Sequence, residues 1–212
     1  MYRLLMLLTI LFAYGIPKAQ TSTSIKAKNP LSGFGAEWNS PAYQVCYTAM
    51  SAGYMSGDEQ EVIHILNLLR SNPALFLRSV LQNPKSPYYV RPGEKNKYKT
   101  SLVADMRKLK STDILLGPDA GLFETARCHA ESSGKAGYVG HDRLAGCEMD
   151  FLAECISYGS KDALEVVMQL LIDEDVPSLG HRKILFDFYY GKAGVATRTH
   201  TGYGSNSVIC FR

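Results

Sequence analysis

Four side chains in this sequence are of the types that hold a metal ion or move a proton, and they fall into two groups. Gly140-His141-Asp142 follows a glycine-bearing turn, and Ala153-Glu154-Cys155 sets a carboxylate inside an otherwise apolar segment, Phe151 to Ile156. Further along, Glu174 lies near the end of a helical pattern, and Gly180-His181-Arg182 follows just past Pro177. Neutral imidazoles ligate zinc at about 2.0 to 2.1 Å, and carboxylates either ligate beside them or orient the rings from behind. A carboxylate next to a metal-bound water is also a candidate general base.

Glu174 is singled out by periodicity. At about 100° per residue, Ala163, Val166, Val167, Leu170 and Leu171 form one apolar stripe, and Glu174 falls close to its centre with Asp173 and Asp175 on the flanks. Met168 and Ile172 lie on the opposite side, so this helix carries apolar residues on both faces. An inward carboxylate needs a partner, because burying it alone costs several kcal/mol or forces it to take a proton. His181, beyond the chain reversal at Pro177, is such a partner. The same four residues also suit a purely structural role, as a hydrogen-bonded network that fixes a cleft.

These side chains need elements to carry them. From Asp58 the apolar residues Val62, Ile65, Leu66 and Leu69 recur at helical steps to about Arg70, and Asn72-Pro73 starts a second helix with Asn as cap and Pro in the first turn. Pro84 to Lys99 carries three prolines and an excess of Lys and Arg, and reads as a solvated loop, or as a docking surface for an anionic partner. Gly117-Pro118-Asp119 opens a helix with Leu122, Ala126, His129 and Ser133 on one face, loosened by Gly134 and Gly137. His129 on that face reads as a core histidine. Leu144 to Ser157 fits no single pattern. Asp162 caps the helix that bears the apolar stripe, with Glu165 three residues on, and the pattern runs to about Asp175. Lys192 to Thr199 and Ser205 to Phe211 form a hairpin around Thr201-Gly202-Tyr203-Gly204. Helices first and strands last predict an α/β sandwich around a small sheet.

At the N-terminus, Tyr2-Arg3 precedes an uncharged run from Leu4 to Ile16, thirteen residues against the ~20 that span a bilayer, so residues 1–19 are expected to be a secretory signal peptide. The expected organisation is that signal, an irregular leader over 20–57 that packs late or on the edge, and one domain over 58–212. Export makes the protein secreted or periplasmic, with no stable membrane span after cleavage. In such a compartment the five cysteines, Cys46, Cys128, Cys147, Cys155 and Cys210, can form disulfides, with at least one thiol left over. Their pairing is open. Cys155 could be a buried thiol, half of a bridge or, activated by a histidine, a nucleophile. The formal charge of +3 argues against a nucleic-acid partner. The serine-hydrolase elbow, the H-E-x-x-H zinc motif, the phosphate loop and the dinucleotide fingerprint are all absent from the sequence.

Taken in order, Asn67-Leu68-Leu69-Arg70, Ala126 to Ala130, Gly140-His141, Ala153-Glu154, Gly180-His181-Arg182-Lys183-Ile184-Leu185 and Gly194-Val195-Ala196 resemble the CAP superfamily of cysteine-rich secretory, antigen-five and pathogenesis-related proteins, in its bacterial form. The resemblance covers about Glu59 to Phe211. It implies a three-layer α-β-α sandwich with a small, mainly antiparallel central sheet (the SCP domain), and a cleft lined by His141, Glu154, Glu174 and His181. The chain departs from the family pattern at Ala153-Glu154-Cys155, where Gly-Glu-Asn is usual, and in the short stretch between His141 and Glu154. Three functions are compatible. The first is a binding module for a divalent cation, a small apolar ligand or a protein partner. The second is a zinc-assisted hydrolase of peptides or esters, with His141 and His181 on the metal and Glu154 or Glu174 as base. The third is a structural cell-envelope interaction domain.

Overall fold

In the computed structural model, which describes residues 28–144 and 146–212, a four-stranded sheet is sandwiched between helices. Its strands are β1 (Gly117–Pro118), β2 (Ala153–Tyr158), β3 (Lys192–Arg198) and β4 (Asn206–Phe211), in the order β1-β3-β4-β2. β3 and β4 form the antiparallel hairpin that their alternation predicts, β2 pairs antiparallel with β4, and the short β1 runs parallel to β3. The protein is thus α/β with a mixed, mainly antiparallel sheet. The signal-peptide reading falls on residues outside those described.

The register shows which helix covers which face. Glu154, Cys210 and Gly194 lie opposite one another across the three strands, so they share a face. The long helix α4 (Ala120–Ala136) covers it, and Asn206 on the same face donates to Ser133 of α4 at 3.0 Å. Gly194 makes the close approach possible: a Cβ there would lie 2.1 Å from the backbone nitrogen of Phe123. Ser157, on the opposite face, bonds to Gln169 of α5 (Ala163–Ile172), and α1 (Gly57–Ser71) packs beside α5.

Local signals explain most helix boundaries. Ser56 and Glu59 form a reciprocal capping box at the start of α1, and Asn72 caps the short α2 (Pro73–Phe76) through the Leu75 N–H. Asp119 caps α4, and Gly137 ends it in the left-handed conformation. Asp162 caps α5 by accepting from the Glu165 N–H. The Glu165 side chain bonds to Ser160 instead of closing the box.

Two segments differ from their sequence reading. The end of the basic stretch is helical: α3 (Lys97–Met106) buries Tyr98, Leu102 and Met106, a single stripe at four-residue steps among charged residues. Residues 28–56 are irregular, built largely of turns including Ala36–Asn39 and Pro41–Cys46, yet Leu31, Trp38, Cys46 and Ala49 are fully buried. Trp38 donates its indole N–H to Ser79 at 3.0 Å. Each such large side chain contributes about 1.5–3 kcal/mol through burial, so this segment belongs to the core and not to its edge.

Asn67 and Arg70, part of the residues that carry the family resemblance, are buried clasps. Asn67 donates to the carbonyls of Cys46 and Leu116 and accepts from the Leu116 N–H, tying residues 46–48 to the chain entering β1. Arg70 donates to the carbonyls of Ile114, Asp187 and Tyr190, and burial pushes its guanidinium down to about 10. Among the described residues, no helix is long and apolar enough to cross a membrane.

Candidate functional site

His141 and His181 meet beside the N-terminal half of β2, with ring centroids 6.2 Å apart. They arrive from different parts of the chain, each fixed through Nδ1 by a carboxylate that is almost wholly buried. His141 Nδ1 lies 2.9 Å from Glu154, and His181 Nδ1 lies 2.7 Å from Asp173. The two carboxylate side chains are 3% and 1% exposed, so both act from behind the rings. The imidazoles are 55% and 20% exposed, and they are what the solvent meets.

His141 sits in the connection between α4 and β2, which has no helix or strand among its described residues. Side chains from the surrounding elements hold its backbone. His129 of α4, fully buried, places Nε2 3.0 Å from the Gly140 carbonyl, and the Gly140 N–H donates to Tyr158 Oη at 3.1 Å. Gly140 has φ of +140°, which disfavours any side chain, and a Cβ there would lie 2.6 Å from Tyr138 Oη and displace that ring. His200 contacts the Tyr138 carbonyl at 3.1 Å. A disulfide, Cys128–Cys147, ties the far side of the same connection to α4.

Arg143 completes this half of the site. Its guanidinium grips both oxygens of Glu154, with one contact at 3.1 Å, and stacks over Phe151 at 4.8 Å. Burial acts to raise the Glu154 carboxyl, but hydrogen bonds from His141 and Arg143 outweigh it and hold the group below the usual carboxylate range. Glu154 is therefore an anion fully committed to protein partners. Cys210 lies against it at 3.6 Å, and burial raises that thiol strongly.

His181 is held by the end of a helix. α5 stops at Ile172, and Asp173 turns to φ of +55°, which an aspartate tolerates better than most residues. That reversal puts its carboxylate beside His181 Nδ1 and within 3.3 Å of the Arg182 N–H. Leu179, immediately before α6 (Gly180–Phe186), also takes a positive φ, +53°, a strained choice for such a side chain. Arg182, 1% exposed, secures the junction by donating to the carbonyls of Leu171 and Ile172 at 2.6 and 2.7 Å and to Asp105 at 3.1 Å. A cation on the last carbonyls of α5 satisfies acceptors that the helix leaves open and complements its dipole.

Of the four residues singled out in the sequence, the structure brings together His141, Glu154 and His181. Glu174 is not among them. Its carboxylate accepts from the Asn96 side chain at 2.6 Å on the surface, and Asp173 stands where Glu174 was expected. The helical period does not extend that far: α5 stops three residues short of Asp175, so positions 173–175 no longer follow a 100° step. Arg143 is a part of the site that the sequence reading does not find. His129 leaves a signal as a polar member, with Ser133, of the buried α4 face, and Tyr158 as one of the aromatic residues expected to cover the sheet and cleft.

The cysteines fall into one bridge and three buried thiols, Cys46, Cys155 and Cys210. Cys155, fully buried with its Sγ facing the His181 carbonyl at 3.9 Å, is held well above its ordinary value by desolvation. A buried thiol of this kind is not a nucleophile.

The donor set also bears on zinc. Both Nδ1 atoms are turned to carboxylates, the arrangement that orients metal-binding imidazoles, and this leaves two Nε2 atoms. Among the described residues no group of three His, Cys, Asp or Glu side chains could hold a metal ion. Two nitrogens suit a cation whose other positions are filled by water. They fall short of the three protein ligands of a catalytic zinc centre, and Glu154 is not available as a base beside one.

No protein-family model, curated protein or solved structure matches the chain.

Proposed function

We propose that the protein is a secreted or periplasmic binding domain of the CAP type, in which His141 and His181 present their Nε2 atoms to a ligand at the edge of the sheet. The observation that carries this reading is the pairing itself: two imidazoles from distant parts of the chain, side by side, each with Nδ1 held by a buried carboxylate. Such mounting fixes ring orientation and leaves one nitrogen per ring to bond outward. The arrangement suits a polar group that bridges both rings, on a small apolar ligand or a protein partner, or a divalent cation completed by water. The layering of α4 and α1 with α5 on opposite faces of a mainly antiparallel sheet supports the CAP-type sandwich. The Cys128–Cys147 bridge supports export to an oxidising compartment.

One observation favours a second, purely structural reading: Glu154 spends both oxygens within the protein. Zinc is a direct probe of the two nitrogens. Calorimetry at neutral pH on the parent, and on His141→Ala and His181→Ala variants shown to be folded, is expected to give one-to-one uptake that either substitution abolishes, with stability changed by less than about 1 kcal/mol for the exposed His141. No uptake by the parent, combined with a loss above about 3 kcal/mol in both variants, would establish the structural role instead.

A further inference from the structure

A pocket of about 430 Å³ opens between the end of α3 and α6, and none of His141, Glu154, Asp173 or His181 lines it. Leu109, Leu179 and Phe186 give it an apolar lining, and Lys108 and Lys183 stand beside them. The Arg182–Asp105 ion pair forms part of its wall, so that acid is neutralised. Asp187 is the other lining acid, and its carboxylate accepts from the Tyr189 N–H.

The segment that runs into this pocket through α3 is strongly basic. Residues 85–110 contain eight Lys and Arg against Glu94 and Asp105, whereas the rest of the sequence has 15 basic against 18 acidic residues. Both acids of the stretch are already engaged, Glu94 with Arg91 and Asp105 with Arg182 and Lys108. Lys97, Arg107 and Lys110 are exposed and have no acidic partner among the described residues. Beside the apolar hollow itself stand Lys108 and Lys183 of its lining, with Arg107 and Lys110 flanking Lys108 and Leu109 in the chain.

Concavity decides what kind of anion fits. A membrane surface is met by apolar side chains that protrude, and here the apolar surface is recessed. A polyanionic glycan or nucleic acid would satisfy the charge and leave the lining in water. An acidic peptide with one large apolar residue satisfies both, since an anchor side chain fills the pocket while carboxylates meet the lysines around it. We propose that the α3–α6 pocket and the basic face beside it dock an acidic segment of a partner protein through one apolar anchor residue.

The probe is a short fluorescein-labelled peptide of alternating Glu and Gly around a single Phe, titrated with the full chain at low salt and followed by anisotropy. Saturable binding is expected. It should weaken about tenfold or more in the surface triple variant Arg107→Glu, Lys108→Glu, Lys110→Glu, and by a similar factor when Gly replaces the Phe of the peptide. Circular dichroism establishes that the triple variant is folded, and Lys183→Glu at the pocket provides an independent second variant with the same expected direction. Three outcomes overturn the proposal: no saturable binding of the Phe peptide, equal binding of the peptide without Phe, or binding only to vesicles containing anionic phospholipid.

Discussion

The rings of His141 and His181 lie 6.2 Å apart, and beyond the buried carboxylate at each Nδ1 their mounts share almost nothing. His141 hangs on an irregular connection pinned from outside by a disulfide, by two buried histidines at the Tyr138 and Gly140 carbonyls, and by the Arg143 clamp on Glu154. His181 stands on a short helix directly behind a helix end, where Asp173, Leu179 and Arg182 do the positioning within ten residues. The charges differ as well. Glu154 is gripped by both terminal nitrogens of a guanidinium, whereas the Arg182 guanidinium goes to helix carbonyls and Asp105, and Asp173 receives only the Arg182 backbone N–H beside His181. Equivalent presentation of a side chain can therefore come from local backbone geometry or from many long-range ties, and the two respond differently to damage.

The largest expected effect falls on the helix-end mount. Arg182→Met strands the carbonyls of Leu171 and Ile172, removes one of the donors to Tyr98 and leaves Asp105 unpaired by it, and should cost about 3–5 kcal/mol in urea unfolding. Removing the disulfide by Cys128→Ser with Cys147→Ser should cost about 2–4 kcal/mol. If the two mounts are independent, amide exchange in the double variant will rise around His141 and stay unchanged around His181. A matching rise at residues 173–182 would show that they are coupled.

Acid sensitivity sharpens the same contrast, provided His64 is separated first. His64 is 5% exposed, stacked on Tyr47, and burial lowers it to about 4. The unfolded chain takes up a proton near 6.5 and the folded chain does not until about 4, so stability is full above pH 6.5 and declines as the pH falls to 4, by about 3 kcal/mol. His64→Phe should remove that share of the decline and leave the one from His129, which burial also lowers. The stability that Glu154 contributes is instead present above the ordinary carboxylate range and lost as pH falls through its depressed value, so Arg143→Met should weaken the protein by about 2 kcal/mol at neutral pH and shrink the loss below pH 4.5. Glu174→Gln, outside both mounts, should change stability by less than about 0.5 kcal/mol and leave zinc uptake intact.

Much of this architecture is legible without coordinates because it is written in short-range chemistry. The capping residues Asn72, Asp119 and Asp162, the apolar stripes of α1, α4 and α5, and the alternation of β3 and β4 each depend on neighbours within a few positions. The residues of the site are legible in type and only partly in position. Gly-His at 140–141 and 180–181, and the lone carboxylate at 154, stand out against their surroundings. Helix α3 is hidden because its buried stripe has only three members, Tyr98, Leu102 and Met106, and the core role of residues 28–56 is hidden because they have no periodicity.

By itself the sequence determined which segments coil or extend, and that two histidines and at least one carboxylate would need partners, since those outcomes follow from backbone preference and from the cost of burying charge. Only the tertiary structure decided who the partners are. It gave Asp173 the place expected of Glu174 by ending α5 at Ile172, committed Glu154 to Arg143, and joined Cys128 to Cys147. Each of these turns on where a chain reverses or on which distant atoms arrive within 3 Å or so of one another, and such distances are set by the packing of the whole fold.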